Sequence, residues 1–322
     1  MIKAQFNIYG LRLEISSDDP SLLECFEEDL RTFRITKGKA AADVRLALES
    51  LLPLQNDKQD SSFFGPYREF GSQRFSAGGI LTRFGRASIL VAHHFKRRFI
   101  RAAVAKDESI FPDPAYHYCF TQPVNLWLKR RGFFPLHAGC VAKGNRGILI
   151  IGAPHAGKSV LSVSAVRSGF KFLSDEQPLL SLNGRLRVHA FPRRIRLDAS
   201  VASLFPELGR FLNSSSGRII FPIEKIWPGC LLSECFPRVL IFPKFRLKGK
   251  MRLAPLPKEE ALNRLMQDDY FIWYRDSPWS RISHRHFSLF EKLVRKIPSY
   301  LLEYGRGDIL KISRVFQKLL AP

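Results

Sequence analysis

The stretch Gly147–Ser159, GILIIGAPHAGKS, runs from apolar residues into a loop closed by Gly-Lys-Ser, and its reading decides the fold. Gly147–Ile151 has the length and composition of a buried strand. Gly152–Ser159 satisfies G-x-x-x-x-G-K-[ST] at every position, and Ser159–Ser168 reads as a helix closed by Gly169. Strand, loop, helix is the context that makes this motif a phosphate loop. Gly152 and Gly157 permit a tight loop whose backbone N–H groups point inward at phosphate, and the helix adds its positive end. Lys158 is expected to reach the β- and γ-phosphates, and the Ser159 hydroxyl to ligate Mg²⁺. ATP and Mg²⁺ are therefore the expected cofactors, with Gly152, Ala153, Pro154, His155, Ala156, Gly157, Lys158, Ser159 and Val160 around the nucleotide. His155 occupies a variable position of the motif and reads as a loop side chain rather than a catalyst.

Upstream, Leu136–Ala142 is a second extended run, joined to the first by the turn Lys143-Gly144-Asn145-Arg146. Downstream, the strand Phe170–Leu173 leads into Ser174-Asp175-Glu176. Ligands gather at such strand ends in open α/β sheets. Two adjacent carboxylates there could divide the work, one holding Mg²⁺ and the other accepting a proton from an attacking hydroxyl. The alternative is a solvated acidic turn before Pro178. His137 lies in an otherwise small and apolar strand, PLHAGCVA. It is either a satisfied core residue or a group that tunes a carboxylate at the neighbouring strand end.

Leu179–Leu182 and Leu186–Ala190 flank Asn183-Gly184, a strong hairpin signal. Arg193, Arg194 and Arg196 follow it. Arg194 or Arg196 could stabilise a phosphoryl group in transfer, or all three could form a basic surface. Arg238–Phe242 is another buried strand, and Lys258–Gln267 and Phe287–Lys296 read as helices. Arg281, His284, Arg285 and His286 form a basic cluster whose H-x-H spacing would suit a metal on a strand, with no carboxylate or cysteine partner following.

The N-terminal region is of a different kind. Alternation marks strands over Gln5–Ile15, Val44–Leu48, Gln73–Ala77, Ile80–Ala92 and Phe99–Ala105, with turns expected at Gly78-Gly79 and Gly85, and Ser21–Phe33 has helical spacing. No catalytic constellation is visible there. Character changes near Pro112–Pro114, with a helix-like Ala115–Arg131 following. The expected organisation is a β-rich domain over residues 1–112 and an α/β phosphate-loop domain over residues 113–322.

The 322 residues include 51 Lys and Arg against 29 Asp and Glu, a net charge of +22, with 45% hydrophobic residues and 27 Phe. That much apolar material excludes disorder. The charge suits either a polyanion binder or a basic surface facing an acidic substrate. Cys25, Cys119, Cys140, Cys230 and Cys235 contain no C-x-x-C pair, so neither a zinc site nor a disulfide framework is expected. The opening MIKAQFNIYG does not read as a signal peptide, and no window nears ~18 uninterrupted apolar residues. A soluble, cytoplasmic protein with no membrane partner is expected.

The strings LHAGCVA, GILIIGAPHAGKS and SGFKFLSDEQPLL together resemble the catalytic core of the HPr serine kinase family, bacterial P-loop protein kinases related in fold to phosphoenolpyruvate carboxykinase. His137 stands 21 residues before Lys158, and Asp175 stands 17 after it, as in that family. The resemblance covers residues 132 to 190 best. It implies that Asp175 is the general base toward an acceptor serine, assisted by His137, and that Glu176 or Ser159 helps to hold Mg²⁺. Two features depart from the HPr-specific enzymes: Glu176 replaces an aspartate, and the downstream I-R-G-x-G segment is absent. The shorter relatives from biosynthetic gene clusters, some of which modify lasso-peptide precursors, fit better.

The expected activity is thus ATP-dependent transfer of the γ-phosphoryl group to a serine of a small, acidic protein or peptide. A nucleic-acid-associated ATPase would show a basic stripe interleaved with exposed aromatics. The sequence instead spreads its cations along the chain. A small-molecule kinase on the carboxykinase-like fold is the other alternative. The N-terminal domain is a candidate for substrate binding or for homo-oligomer contacts.

Overall fold

The structure, a computed structural model, describes residues 1–36, 41–51, 68–70, 73–76, 79–84, 89–105, 117–153, 155–211, 217–248, 250–267 and 280–321. The chain forms two compact units, Met1–Leu128 and Lys129–Pro322. The boundary expected at residues 112–113 lies outside the described residues.

The first unit is built on an eight-stranded sheet. Its strands are β1 (Ile2–Ile8), β2 (Leu11–Ser17), β3 (Val44–Leu51), β4 (Arg68–Phe70), β5 (Gln73–Ser76), β6 (Gly79–Phe84), β7 (Ile89–His94) and β8 (Phe99–Ala105), in spatial order β1-β2-β3-β8-β7-β6-β5-β4. The alternation over Gln5–Ile15, read from sequence as one strand, is a hairpin. Tyr9 and Gly10 both take positive φ, and the Gly10 N–H donates to Asn7 Oδ1 at 2.9 Å. A two-residue turn preserves the period-two pattern, so the alternation passes through it unbroken. Ile80–Ala92 divides into β6 and β7, and the turn expected at Gly85 lies outside the described residues. Helix α1 (Pro20–Asp29) begins where Asp19 caps the Ser21 N–H at 2.9 Å and Pro20 presets φ. It buries Leu22, Leu23 and Phe26 within this unit. The unit ends within α2 (Gln122–Arg130), which a π-helical turn over His117–Thr121 precedes.

The second unit is α/β. Its strands are β9 (Phe134–Pro135), β10 (Ala138–Lys143), β11 (Arg146–Ile151), β12 (Lys171–Ser174), β13 (Leu179–Asn183), β14 (Arg185–His189), the separate pair β15 (Ile195–Asp198) and β16 (Arg218–Phe221), then β17 (Glu234–Phe245), β18 (Arg252–Pro255) and β19 (Ser299–Tyr304). The main sheet runs β12-β10-β11-β17-β14-β13-β9. The long β17 takes β14 along its first residues and β19 along its last, with β18 beyond β19. Sequence signals stop β17 short, at Arg238–Phe242, because Pro237 and Pro243 lie inside it. Pro237 is tolerated where the register to β11 shifts.

Helix α3 (Lys158–Arg167) follows the glycine-rich loop and packs on this sheet. It is buried almost all round, with Val160, Leu161, Val163, Ala165 and Val166 in one core with Val141, Ile148, Ile150 and Phe172 of the sheet and with Phe170 and Phe316. Each of the larger apolar side chains withdrawn from water contributes about 2 kcal/mol. The remaining helices are the single turn α4 (Ala199–Ala202), α5 (Lys258–Met266), α6 (Ser280–Lys296) and α7 (Ile312–Leu319). The H-x-H cluster therefore lies on a helix, α6, and not on a strand. Two residues apart on a helix, His284 and His286 diverge: His284 Nδ1 meets the Ser280 carbonyl at 2.8 Å, while His286 is buried against Phe134 and Phe290. Among the described residues no group of three or more His, Cys, Asp or Glu side chains gathers to hold a metal, and no helix is long and apolar enough to cross a membrane.

Candidate functional site

Strand directions bring the candidate residues to one edge. Strand β11 runs parallel to β17, and β17 parallel to β19. Strand β10 runs against both β11 and β12, so β12 points the same way as β11. The C-terminal ends of β11, β12, β17 and β19 thus lie together, and they deliver Gly152, Asp175, Arg246 and Gly305 to that edge. Ala138 pairs with Ile151, so His137, half-buried at the entry to β10, reaches the same edge.

The loop from Gly152 turns into α3 through Gly157, whose φ of 97° is a left-handed conformation open to glycine. His155 also takes positive φ, at 64°, and is exposed. Pro154 lies outside the described residues. Lys158 is buried, and its Nζ donates to the carbonyls of Gly152 at 2.8 Å and Ala153 at 3.2 Å, which folds the amine back over the loop. Ala153 is exposed, Ala156 and Ser159 are half-buried, and Val160 is buried in the helix core.

Asp175 is the most perturbed group at this edge. It is 5% exposed, and burial pushes its carboxyl up to about 7. A hydrogen bond from Ser159 opposes that shift, the charge of Glu176 adds to it, and Lys158 and Arg196 pull it down. Its Oδ1 finds no hydrogen-bond partner among the described residues. A buried carboxylate oxygen without a partner is costly, and such sites commonly await a ligand. The turn carrying it is fixed by Ser174, whose Oγ donates to the Phe191 carbonyl at 3.0 Å and accepts from the Gln177 N–H at 2.9 Å.

Glu176 faces elsewhere. Arg193 Nη1 donates to its Oε2 at 2.6 Å, and the arginine side chain is 7% exposed while the glutamate remains partly open. Of the three arginines after the hairpin, Arg193 therefore holds the acidic turn, Arg196 lies within electrostatic reach of Asp175, and Arg194 is half-buried.

Sequence reasoning missed Tyr304. Its hydroxyl donates to the Ala156 carbonyl at 3.1 Å, and it occupies the space that a Cβ on Gly157 would need. It lies 148 residues from Ala156, and only the parallel pairing of β19 with β17 brings it there. No local pattern announces it.

The donor set suits Mg²⁺ and a polyphosphate. The Ser159 hydroxyl and the partly open Glu176 carboxylate are hard oxygen ligands, and Mg²⁺ takes few protein ligands beside phosphate and water. The left-handed Gly157 and the α3 N-terminus offer backbone N–H groups to an anion.

No protein-family profile matches the chain, and no curated protein matches it. Among solved structures it is similar to the HPr(Ser) kinase/phosphatase from Coxiella burnetii, at 15% identity over 58% of this chain and 93% of that one, with a TM-score of 0.31. Likeness of that degree carries no argument about activity, which rests on the geometry of the site. The class defined by the described residues is a mixed α/β chain with a glycine-lysine-serine loop at the carboxyl edge of its second sheet.

Proposed function

We propose that the second unit is an ATP-dependent phosphotransferase acting on a serine hydroxyl of a small acidic protein or peptide. One observation carries the reading: Asp175, buried and with one oxygen unpartnered, accepts a hydrogen bond from Ser159 of the glycine-rich loop. A carboxylate poised near pH 7 beside a phosphate-binding loop is matched to removing a proton from an alcohol.

Mg-ATP, when bound, supplies the phosphoryl group and a cation that neutralises its charge. Residues Gly152–Val160 would hold its phosphates and the Ser159 hydroxyl its Mg²⁺, with Glu176 a second candidate ligand once its pairing with Arg193 loosens. Lys158, now on the Gly152 and Ala153 carbonyls, would turn its amine to the phosphate oxygens. Asp175 takes the proton from the acceptor serine, and His137 at the neighbouring strand entry orients or tunes it. Arg196 offsets negative charge beside Asp175, with Arg194 the other candidate for that role.

The test is mass spectrometry of serine-containing acidic peptides incubated with the protein and ATP. Asp175→Asn should abolish phosphopeptide formation while ATP binding persists. Full transfer by that variant would remove Asp175 from the role of base.

A further inference from the structure

The same sheet edge carries a feature that the phosphate chemistry does not use. Residues 244–252, KFRLKGKMR, hold Lys244, Arg246, Lys248, Lys250 and Arg252, five cations and no carboxylate. They span the connection from the end of β17 to β18, beside the strand end that delivers Gly152. Proximity to the loop is fixed by register: Phe245 pairs with Tyr304, and Tyr304 reaches Ala156.

Glu303 answers part of this charge. Lys244 and Arg252 sit opposite it on the two neighbouring strands. Its carboxylate meets Arg246 at 2.9 Å and Lys244 at 3.8 Å. One carboxylate against this many cations leaves a local positive excess. Lys248, Lys250 and Leu247 lie exposed on the connection, Leu247 at 93% and the neighbouring Phe245 at 44%. Among the described residues β18 pairs with β19 alone, so its outer edge offers backbone groups to an added extended chain.

We infer that this basic β17–β18 connection is the docking surface for an acidic, extended polypeptide segment of the acceptor. Charge complementarity selects the acidic segment. The open edge of β18 and the aliphatic Leu247 favour a polypeptide, because a single-stranded nucleic acid would call for several stacking aromatics and Phe245 is the one aromatic in this segment. Docking here would hold the acceptor at the edge shared by Asp175 and the glycine-rich loop, converting an encounter into a positioned reaction. The inference rests on the phosphotransferase reading for its purpose but not for its measurement.

Fluorescence anisotropy of a labelled alternating Glu–Ser peptide, without nucleotide, tests it. The Glu–Ser peptide should bind, and a Gln–Ser peptide of equal length should not. Combined Lys248→Glu and Lys250→Glu should weaken binding at least about tenfold at low salt, with the unfolding midpoint as in the parent. Undiminished peptide binding by that variant, or tighter binding of a single-stranded oligonucleotide or of phosphatidylserine vesicles at equal charge, would overturn the assignment. If Asp175→Asn still transferred phosphate while the Glu–Ser peptide bound and the double variant lost it, the choice of base would fail and the docking surface would stand.

Discussion

The Tyr304 hydroxyl donates to the Ala156 carbonyl and stands where a Cβ on Gly157 would have to be, so a residue of the last strand fixes the backbone of the glycine-rich loop. Tyr304 is held in turn by the ring of Phe245, edge to face at 5.7 Å between centroids, and burial pushes its phenol up to about 12. The hydroxyl therefore stays protonated, a donor, across the working pH range.

Removing that donor tests the coupling. Tyr304→Phe leaves the Ala156 carbonyl without this partner and should cost about 1 kcal/mol in loop order, read as a several-fold loss of nucleotide affinity. Gly157→Ala should do much worse, because the new methyl meets Tyr304 and the left-handed φ adds about 1 kcal/mol of strain. Combining the two removes the colliding oxygen but leaves the ring Cζ at a tight 3.0 Å and the strain, so the double variant should bind nucleotide better than Gly157→Ala alone and worse than Tyr304→Phe. Titration of a fluorescent ATP analogue against the four proteins gives the cycle.

Asp175 predicts two opposite pH dependences. Its carboxyl lies near 7 in the folded chain against 3.8 in the free side chain, so the folded state retains a proton that the unfolded state has lost. Its contribution to stability is full below about pH 4 and is lost as pH rises to 7. Asp175→Asn should accordingly gain stability relative to the parent at pH 8 and little at pH 4, as denaturant midpoints will show. With Asp175 in the proposed role of base, activity should run the other way, because a base must be unprotonated. Turnover should rise with pH along a limb at or below about 7, since a bound cation favours the carboxylate.

The loop and its strand and helix were legible because the motif, the apolar run before it and the helix after it are contiguous. The hairpins were legible where Gly144 and Gly184 mark them. Arg193 illustrates what was not. In sequence it is one of three arginines of equal promise, and only the return of the chain after β14, with the Phe191 N–H bonded to the Leu173 carbonyl at 3.0 Å, sets it against Glu176. Tyr304 is a stronger case, since nothing near Ser299–Tyr304 distinguishes it from any strand-end aromatic. Long-range pairing made both residues meaningful, and periodicity reads only short range. The Gln5–Ile15 hairpin failed for the converse reason: its turn leaves the period intact.

Burial divides the Glu176–Arg193 pair unequally, with Arg193 buried and Glu176 partly open. Glu176→Ala takes a carboxylate from a buried guanidinium, whereas Arg193→Ala leaves a carboxylate that can turn to water. Glu176→Ala should therefore destabilise the fold by about 1–3 kcal/mol and Arg193→Ala by less, with the double variant close to Arg193→Ala alone. Chemical denaturation of the three variants separates this from simple additivity.

The seat of α3 is equally open to test. Gly139 lies on β10 under the helix, and a Cβ there would come within 2.6 Å of Ser162 Oγ. That hydroxyl is buried and has no hydrogen-bond partner among the described residues, so it costs stability where it stands. Gly139→Ala should push the helix outward and lower stability by about 1–3 kcal/mol. Because the α3 N-terminus faces the glycine-rich loop, nucleotide affinity should fall with it. Ser162→Ala should raise stability by up to about 1 kcal/mol by removing the orphaned hydroxyl. The atom that collides is then gone, so the double variant should recover most of what Gly139→Ala loses, in both melting temperature and nucleotide affinity. Recovery of melting temperature without recovery of affinity would mean that the position of α3 does not set the geometry of the loop.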